Sequence, residues 1–354
     1  MKLLLISNMY PSEDDPYFGS FIRNIKEGLI SNGISVDLIT IDGQGKNLKE
    51  KLFKYFVFFY KILKTNFNKY DAIQLSYPSH TIYPFFLKPW AWKKLIVRFH
   101  GLEIVSDKDY DFFLKIRRLI SKLSTYMAKL VVVPSEYFKE EIIKLNKNAL
   151  IYKYPSGGID SNRFFITNNY TNRFDSKCLK IGYVGRVDIK KGVDILLTSL
   201  RGIDFNYELT VVGKGPLLND MKQMAREMDI NAKFIGAVDN AELIKFYNEF
   251  DVFIFPTERK GESFGNVAIE AMACGVPVIG SDFAGLKEYL VDKYNGLFFT
   301  VSDPRSLRDK ISYFNSLNID ERIRFSNNAK STSDKYEKIS VSYEYKMFIE
   351  KMFK

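Results

Sequence analysis

Two glutamates, Glu262 and Glu270, are separated by seven residues in the stretch GESFGNVAIEAMACGVPVIG. Glu262 lies in a polar, glycine-bearing loop. Glu270 lies in a run of Val, Ala, Ile, Ala, Met, Ala and Cys, the composition of a helix buried on most sides. Side chains on a helix lean toward its N-terminus, so Glu270 is aimed back at the end that Glu262 flanks. That end gathers backbone N–H groups and the positive pole of the helix dipole, which together favour an anion. A carboxylate buried there needs polar partners to offset its desolvation, and the hydroxyls of a bound polyol would supply them. The plainer alternative makes Glu262 a solvated loop residue and Glu270 a first-turn carboxylate on an exposed face. Local physics leaves both open.

Other candidates are scattered along the chain. Gly185-Arg186-Val187-Asp188-Ile189-Lys190-Lys191-Gly192 is a basic loop bracketed by glycines. Facing a shared crevice, Arg186 with its bidentate fork and Lys191 as a point charge would neutralise a diphosphate; a chance of surface charge is the alternative, and Lys190 is a neighbour easily mistaken for the binding lysine. His100, followed by Gly101, closes the apolar run from Leu95, a place suited either to a cleft or to a satisfied structural histidine. Gly19 ends the loop NMYPSEDDPYFGS, where a missing Cβ lets a ligand approach or simply makes a turn. Asp107, Asp109 and Asp111 alternate, but an EF-hand needs glycine and glutamate where Phe112 and Arg118 stand. A solvated loop with a helix cap explains them.

The elements that must position these residues follow from periodicity. Val252–Phe255 is an apolar strand ended by Pro256; a small-residue helix over Asn266–Ala273 stops at Gly275 and Pro277, and Val276–Ile279 is the next strand. This is the crossover of a parallel sheet. In the first half, Lys2–Ser7, Ser35–Ile41, Asp71–Leu75, Leu95–Phe99 and Leu130–Val133 are strand-like. Helical stretches over Ser20–Ser31 and Phe112–Ala128 alternate with them, with Ser135 placed to cap another. That order predicts a doubly wound α/β domain. The Asn-rich run from Ser161 to Lys177 reads as a linker, and Leu179 opens a second domain. VVGKGP after Leu209 lacks the third glycine of a dinucleotide fingerprint.

With 354 residues, 46% of them hydrophobic, the chain has room for two cores. Met1-Lys2 runs into Leu3-Leu4-Leu5-Ile6, better read as a first strand than as a secretory signal, and no window reads as a membrane span. Cys178 and Cys274 are expected as small buried residues in a reducing compartment. The formal charge of +10 suits a nucleotide, an anionic membrane or a nucleic acid, the last weakened by the lack of any zinc-finger, helix-turn-helix or RRM pattern. Lys46–Lys69 is rich in lysine and aromatics, and the aromatic patch Phe85–Lys94 follows it. The first reads equally as a helix in a membrane interface or one packed on a sheet.

Together these stretches resemble the retaining glycosyltransferases of family 4, with their E-x7-E signature, small-residue helix and G-x-P-V strand. The resemblance extends over essentially the whole chain. It includes His100-Gly101, the P-x-G-x-D stretch from Pro155 to Asp160 and the G-R-x-x-x-x-K-G loop at 185–192. Phe234-Ile235-Gly236, Gly285–Glu288 and Asn295-Gly296 complete it. Many members carry two adjacent glycines where this chain has only Gly19. The resemblance implies a GT-B fold, two Rossmann-like parallel-sheet domains facing each other across a cleft. These would span 1–165, joined by a final helix at 336–354, and 178–335. It implies transfer of a hexose or N-acetylhexosamine from a nucleoside-diphosphate sugar, UDP-linked, to a glycan or lipid-linked acceptor, with no metal or separate cofactor. Arg186, Lys191 and the helix start at Ser263, Phe264, Gly265, Asn266 and Val267 would hold the diphosphate. Glu270 would hold the ribose, Ile235 the base, Glu262 and His100 the sugar, and Gly19 would approach the phosphate and acceptor. The expected setting is cytoplasmic, peripheral to the membrane, in surface-polysaccharide assembly. An epimerase or hydrolase on the same plan, and a non-catalytic partner of another transferase, are the rival readings.

Overall fold

The computed structural model describes residues 1–13, 18–43, 45, 47–107, 112–167, 173–174 and 176–353, with Phe112 as backbone only. Asp109 and Asp111 lie outside the described residues. In chain order the first strands and helices are β1 (Lys2–Tyr10), α1 (Ser20–Ser31), β2 (Ser35–Asp42), α2 (Leu48–Lys64), β3 (Ala72–Ser76), α3 (Pro78–Thr81), β4 (Leu95–Arg98), α4 (Phe112–Met127), β5 (Leu130–Val133), α5 (Glu136–Leu145) and β6 (Ile151–Lys153). There follow β7 (Leu179–Val184), α6 (Val193–Leu200), β8 (Tyr207–Val212), α7 (Leu218–Glu227), β9 (Ala232–Gly236), α8 (Leu243–Glu249), β10 (Val252–Phe255), α9 (Asn266–Ala273), β11 (Val278–Ser281) and β12 (Gly296–Phe299). Helices α10 (Pro304–Ser316), α11 (Ile319–Asp334) and α12 (Lys338–Phe353) close the chain.

Two units result, Met1–Gly158 with Lys338–Lys354, and Ile159–Glu337. Each holds a parallel six-stranded sheet, ordered β2-β1-β3-β4-β5-β6 in the first and β12-β11-β10-β7-β8-β9 in the second. The inner strands are apolar and buried along their length, as β4, β5, β10 and β11 show, because helices cover both faces. Strand order reverses between β1 and β3 in one sheet and between β7 and β10 in the other. Ligands of such sheets bind beyond the carboxyl ends of strands at the reversal. The loops carrying Arg186 and Glu262 leave β7 and β10, the two strands at that point of the second sheet.

Several local expectations shift. Described residues within the run from Ser161 to Lys177 are tied to the second unit. Ile159, Phe164 and Phe174 are buried in the second unit, and Arg173 donates to the Cys274 and Gly275 carbonyls at 2.9–3.1 Å. The division therefore falls at 158/159 rather than after 165. The strand after α9 begins at Val278, since the Val276 N–H still bonds back to Ala271 O at 3.0 Å. Cys274 is buried but Cys178 is only half-buried. Ser135 sits at the start of α5 without a capping bond from its hydroxyl. Helix α2 buries only Phe58 and Ile62 and exposes Leu52, Phe53, Phe56 and Tyr60. The 85–94 patch is mixed, with Phe85 and Ala91 buried and Phe86, Leu87 and Trp90 exposed.

Candidate active site

In the second unit, the loops after β7 and β10 are laced together by backbone. The Glu258 N–H donates to Lys190 O at 2.9 Å, and Thr257 Oγ1 donates to the same oxygen at 3.4 Å. Gly192 makes the close approach possible: its φ is 71°, and a Cβ there would overlap the Pro256 carbonyl. Gly213 and Gly215, after β8, likewise sit against the Gly185 and Val187 carbonyls where any Cβ would collide. The loops are therefore locked as one backbone assembly.

On it, Lys191 Nζ meets Glu262 Oε2 at 2.6 Å, with both side chains only 15% exposed. Thr257 Oγ1 donates to the same carboxylate oxygen at 3.4 Å, and the Lys191 ammonium lies 5.5 Å from the Phe255 ring centre. Glu262 is thus an ion-paired group rather than a solvated loop residue. Arg186 is 67% exposed and reaches Asp188 at 3.2 Å, while Lys190 pairs loosely with Glu258 at 3.8 Å. Two cations intended for one anion thus differ in environment, Lys191 sheltered and Arg186 in solvent.

Helix α9 begins immediately after Gly265, whose φ of 77° and contacts with Leu286 and Tyr289 leave little room for a side chain. Tyr289 Oη donates to Gly265 O at 3.0 Å, and Phe264 packs buried against Tyr289 and Tyr336. Asn266 and Val267 are half-buried, and their amides belong to the first turn, where a helix has no intrahelical acceptors to offer. Glu270, one turn in, accepts from Tyr247 Oη at 3.0 Å. Part of the residue reaches solvent, yet burial of the carboxyl raises its pKa to about 7, against the lowering effects of the Tyr247 bond and Arg163. Ile235 is 43% exposed at the end of the edge strand β9, before Gly236 at φ 85°.

In the first unit, His100 lies two residues past β4. Its ring stacks on Tyr77 at 4.5 Å and packs on Phe21 at 4.7 Å. The buried Nε2 has no hydrogen-bond partner among the described residues. Burial, then the nearby Arg98, hold its pKa well below the ordinary value, so the imidazole is neutral. Its backbone N–H donates to both oxygens of buried Glu103 at 3.2 and 3.3 Å, and desolvation lifts that carboxyl to about 7. Gly19, at φ 74°, closes on the Met9 backbone, where a Cβ would press at 2.9 Å.

The structure thus gathers Arg186, Lys191, Glu262, Glu270 and the Ser263–Val267 turn at one sheet end of the second unit, and holds His100 and Gly19 beyond strand ends of the first. Sequence reading passed over Tyr247, Thr257, Asp188 and Glu103. Tyr247 belongs to no motif and touches Glu270 only through the packing of α8. Glu103, only three residues from His100, was the most findable.

Residues 167–332 match the family described as "Glycosyl transferases group 1". The chain is 31% identical over 226 residues to the capsular polysaccharide biosynthesis glycosyltransferase CapM of Staphylococcus aureus, a match covering 60% of this chain and 58% of CapM. Among solved structures, sucrose-phosphate synthase from Thermosynechococcus elongatus superposes with a TM-score of 0.81 at 19% identity, over 100% of this chain and 99% of that one. Anabaena HepE in complex with UDP-glucose gives 0.72 at 16%, over 99% and 100%. Residues 167–332 thus resemble the group 1 glycosyltransferases, in a chain with the GT-B fold.

Proposed function

We propose that this protein is a retaining, metal-independent glycosyltransferase of family 4. It moves a hexose or N-acetylhexosamine from a UDP-sugar to a hydroxyl of a glycan or lipid-linked acceptor during surface-polysaccharide assembly. One observation carries the reading: the sheltered Lys191–Glu262 pair beside the start of α9, with the desolvated Glu270 carboxyl one turn further on. The UDP-glucose bound by HepE supports a UDP-sugar donor. CapM's part in capsular polysaccharide biosynthesis supports the acceptor class.

In this mechanism the donor's pyrophosphate takes the place of Glu262 on Lys191, joined by Arg186 and the first-turn amides at Gly265, Asn266 and Val267. Charge developing on the leaving phosphate is met by donors already in place. Glu262, released from its lysine, accepts from the sugar hydroxyls. Glu270, oriented by Tyr247, accepts from the ribose; Ser263, the backbone of Phe264, and Ile235 line the nucleotide. A departing phosphate oxygen takes the acceptor's proton, which needs no second carboxylate. The exposed lysine- and aromatic-rich helix α2 makes a peripheral contact with an anionic membrane.

The test is transfer from a panel of nucleoside-diphosphate sugars to a polyprenyl-diphosphate-linked saccharide, with the product's anomeric coupling read by NMR. An axial linkage from an axial donor is expected. Inversion, or hydrolysis that an acceptor never converts to transfer, would overturn the assignment.

A further inference from the structure

The first unit buries a cation without a counter-charge. Successive side chains of β3 and β4 alternate between two cores: Ile73, Leu75, Leu95 and Val97 pack under α2, while Ala72 and Ile96 face α1 and α12. The same alternation sends Gln74, Ser76 and Arg98 to the α1 and α12 side, where they are 0, 0 and 1% exposed. Ser76 and Arg98 are register partners on neighbouring strands, and Gln74 lies one pleat back. One Nη of Arg98 donates to the Tyr154 carbonyl at 3.0 Å, and the guanidinium carbon lies 4.4 Å from the centre of the Tyr154 ring. Those contacts satisfy one arm and one face. Among the described residues no carboxylate pairs with it; the groups that act on its charge are Tyr154 and Tyr345.

What remains on that face is a set of donors. Arg98 Nη1, Gln74 Nε2 and Ser76 Oγ are buried with no hydrogen-bond partner among the described residues. Neighbouring acceptors are already engaged: Gln74 Oε1 takes the Tyr345 hydroxyl at 2.7 Å, and Tyr154 Oη pairs with Ser342 Oγ at 2.6 Å. A guanidinium keeps its proton inside a protein, and a buried cation left unpaired is costly. A water bridging the three donors would need acceptors for its own protons and would bring no charge. An anion meets both demands. The burial of all three side chains excludes a nucleotide or a sugar phosphate and selects a small ion.

We propose that the first unit binds a chloride ion between its sheet and helices α1 and α12, held by Arg98, Gln74 and Ser76. The ion lies one pleat beneath His100 and offsets the Arg98 charge that this imidazole feels. It also steadies the seat of the last helix. Tyr345 of α12 orients Gln74, and Ser342 of α12 holds the tyrosine on which Arg98 stacks.

The experiment is thermal unfolding of the full chain at constant ionic strength, with sodium gluconate replaced stepwise by sodium chloride. The melting temperature should rise saturably, by roughly 4 °C or more with chloride a hundredfold above its dissociation constant. Arg98→Met removes the charge and keeps an apolar stem, so it should fold and lose that dependence. Ser76→Ala should keep the dependence with its midpoint moved to about tenfold higher chloride, the worth of one hydrogen bond to a charge. General salt effects on compactness act on every variant alike. An equal rise in the parent and in Arg98→Met, or none in the parent, would therefore overturn the proposal. If Arg98→Met does not fold, bromide-soaked crystals of the parent decide. An anomalous peak beside Arg98 is expected, and none there, at bromide well above the chloride midpoint, sinks the ion and leaves water in its place.

Discussion

Glu270 has the environment of a group whose protonation matters. Its carboxyl is raised from 4.5 to about 7 by burial, so the folded chain holds a proton that the unfolded chain releases over that interval. Stability therefore falls as pH rises from about 5 to 7, and Glu270→Gln should flatten that slope by at most about 3 kcal/mol. Glu103 titrates in the same direction, so the double variant with Glu103→Gln should flatten it further in urea melts taken across this range. Ribose hydroxyls donate best to an ionised carboxylate. Nucleotide affinity should accordingly strengthen as pH passes 7 in the parent and lose that dependence in Glu270→Gln. Lys191→Ala leaves Glu262 sheltered with only Thr257 Oγ1 among the described residues. Transfer turnover should drop by roughly two to three orders of magnitude, the usual effect of removing one preorganised charge-stabilising donor, and initial rates at saturating donor read it directly. At this scale the sequence disclosed the carboxylates and cations, because their types are rare in a helix of alanines and a loop of glycines. It did not disclose that Lys191 and Glu262 would hold each other, because 71 positions separate them.

Elements position these groups through backbone contact. Gly192 is both left-handed and jammed against Pro256, which brings the β7 and β10 loops to one place. Gly192→Ala should destabilise the chain by about 2 kcal/mol or more from backbone strain alone. A melting point lower by several degrees is expected, together with weaker nucleotide binding, since both loops bear on one site. The glycines bracketing Arg186 and Lys191 were legible in the sequence, as were α9 and β10, whose lengths and stops follow from small residues, Gly265 and Pro256. Ser161–Lys177 was not. Its asparagine-rich composition looks like a solvated connector, yet buried Phe164 and Phe174 and the Arg173 guanidinium on the Cys274 and Gly275 carbonyls tie its described residues to the second unit. Helix α4 was placed closely, within a residue at its end.

For the whole molecule, the alternation of strands and helices led correctly to a parallel-sheet α/β fold, since strands buried on both faces must be nearly continuous apolar runs. The last helix returns to the first unit, where Tyr345 Oη donates to buried Gln74 at 2.7 Å and Ser342 fills the space beside Gly28. Nothing in its own residues announced that partner; resemblance supplied the expectation. The central claim is that a diphosphate sits on Arg186 and Lys191 while a ribose sits on Glu270. Titration calorimetry of UDP-sugars into the parent chain, Lys191→Ala and Glu270→Gln tests it most directly. Saturable binding that weakens about tenfold or more in each variant is predicted, in line with the worth of charge-assisted hydrogen bonds. Binding of equal strength in all three proteins would contradict it.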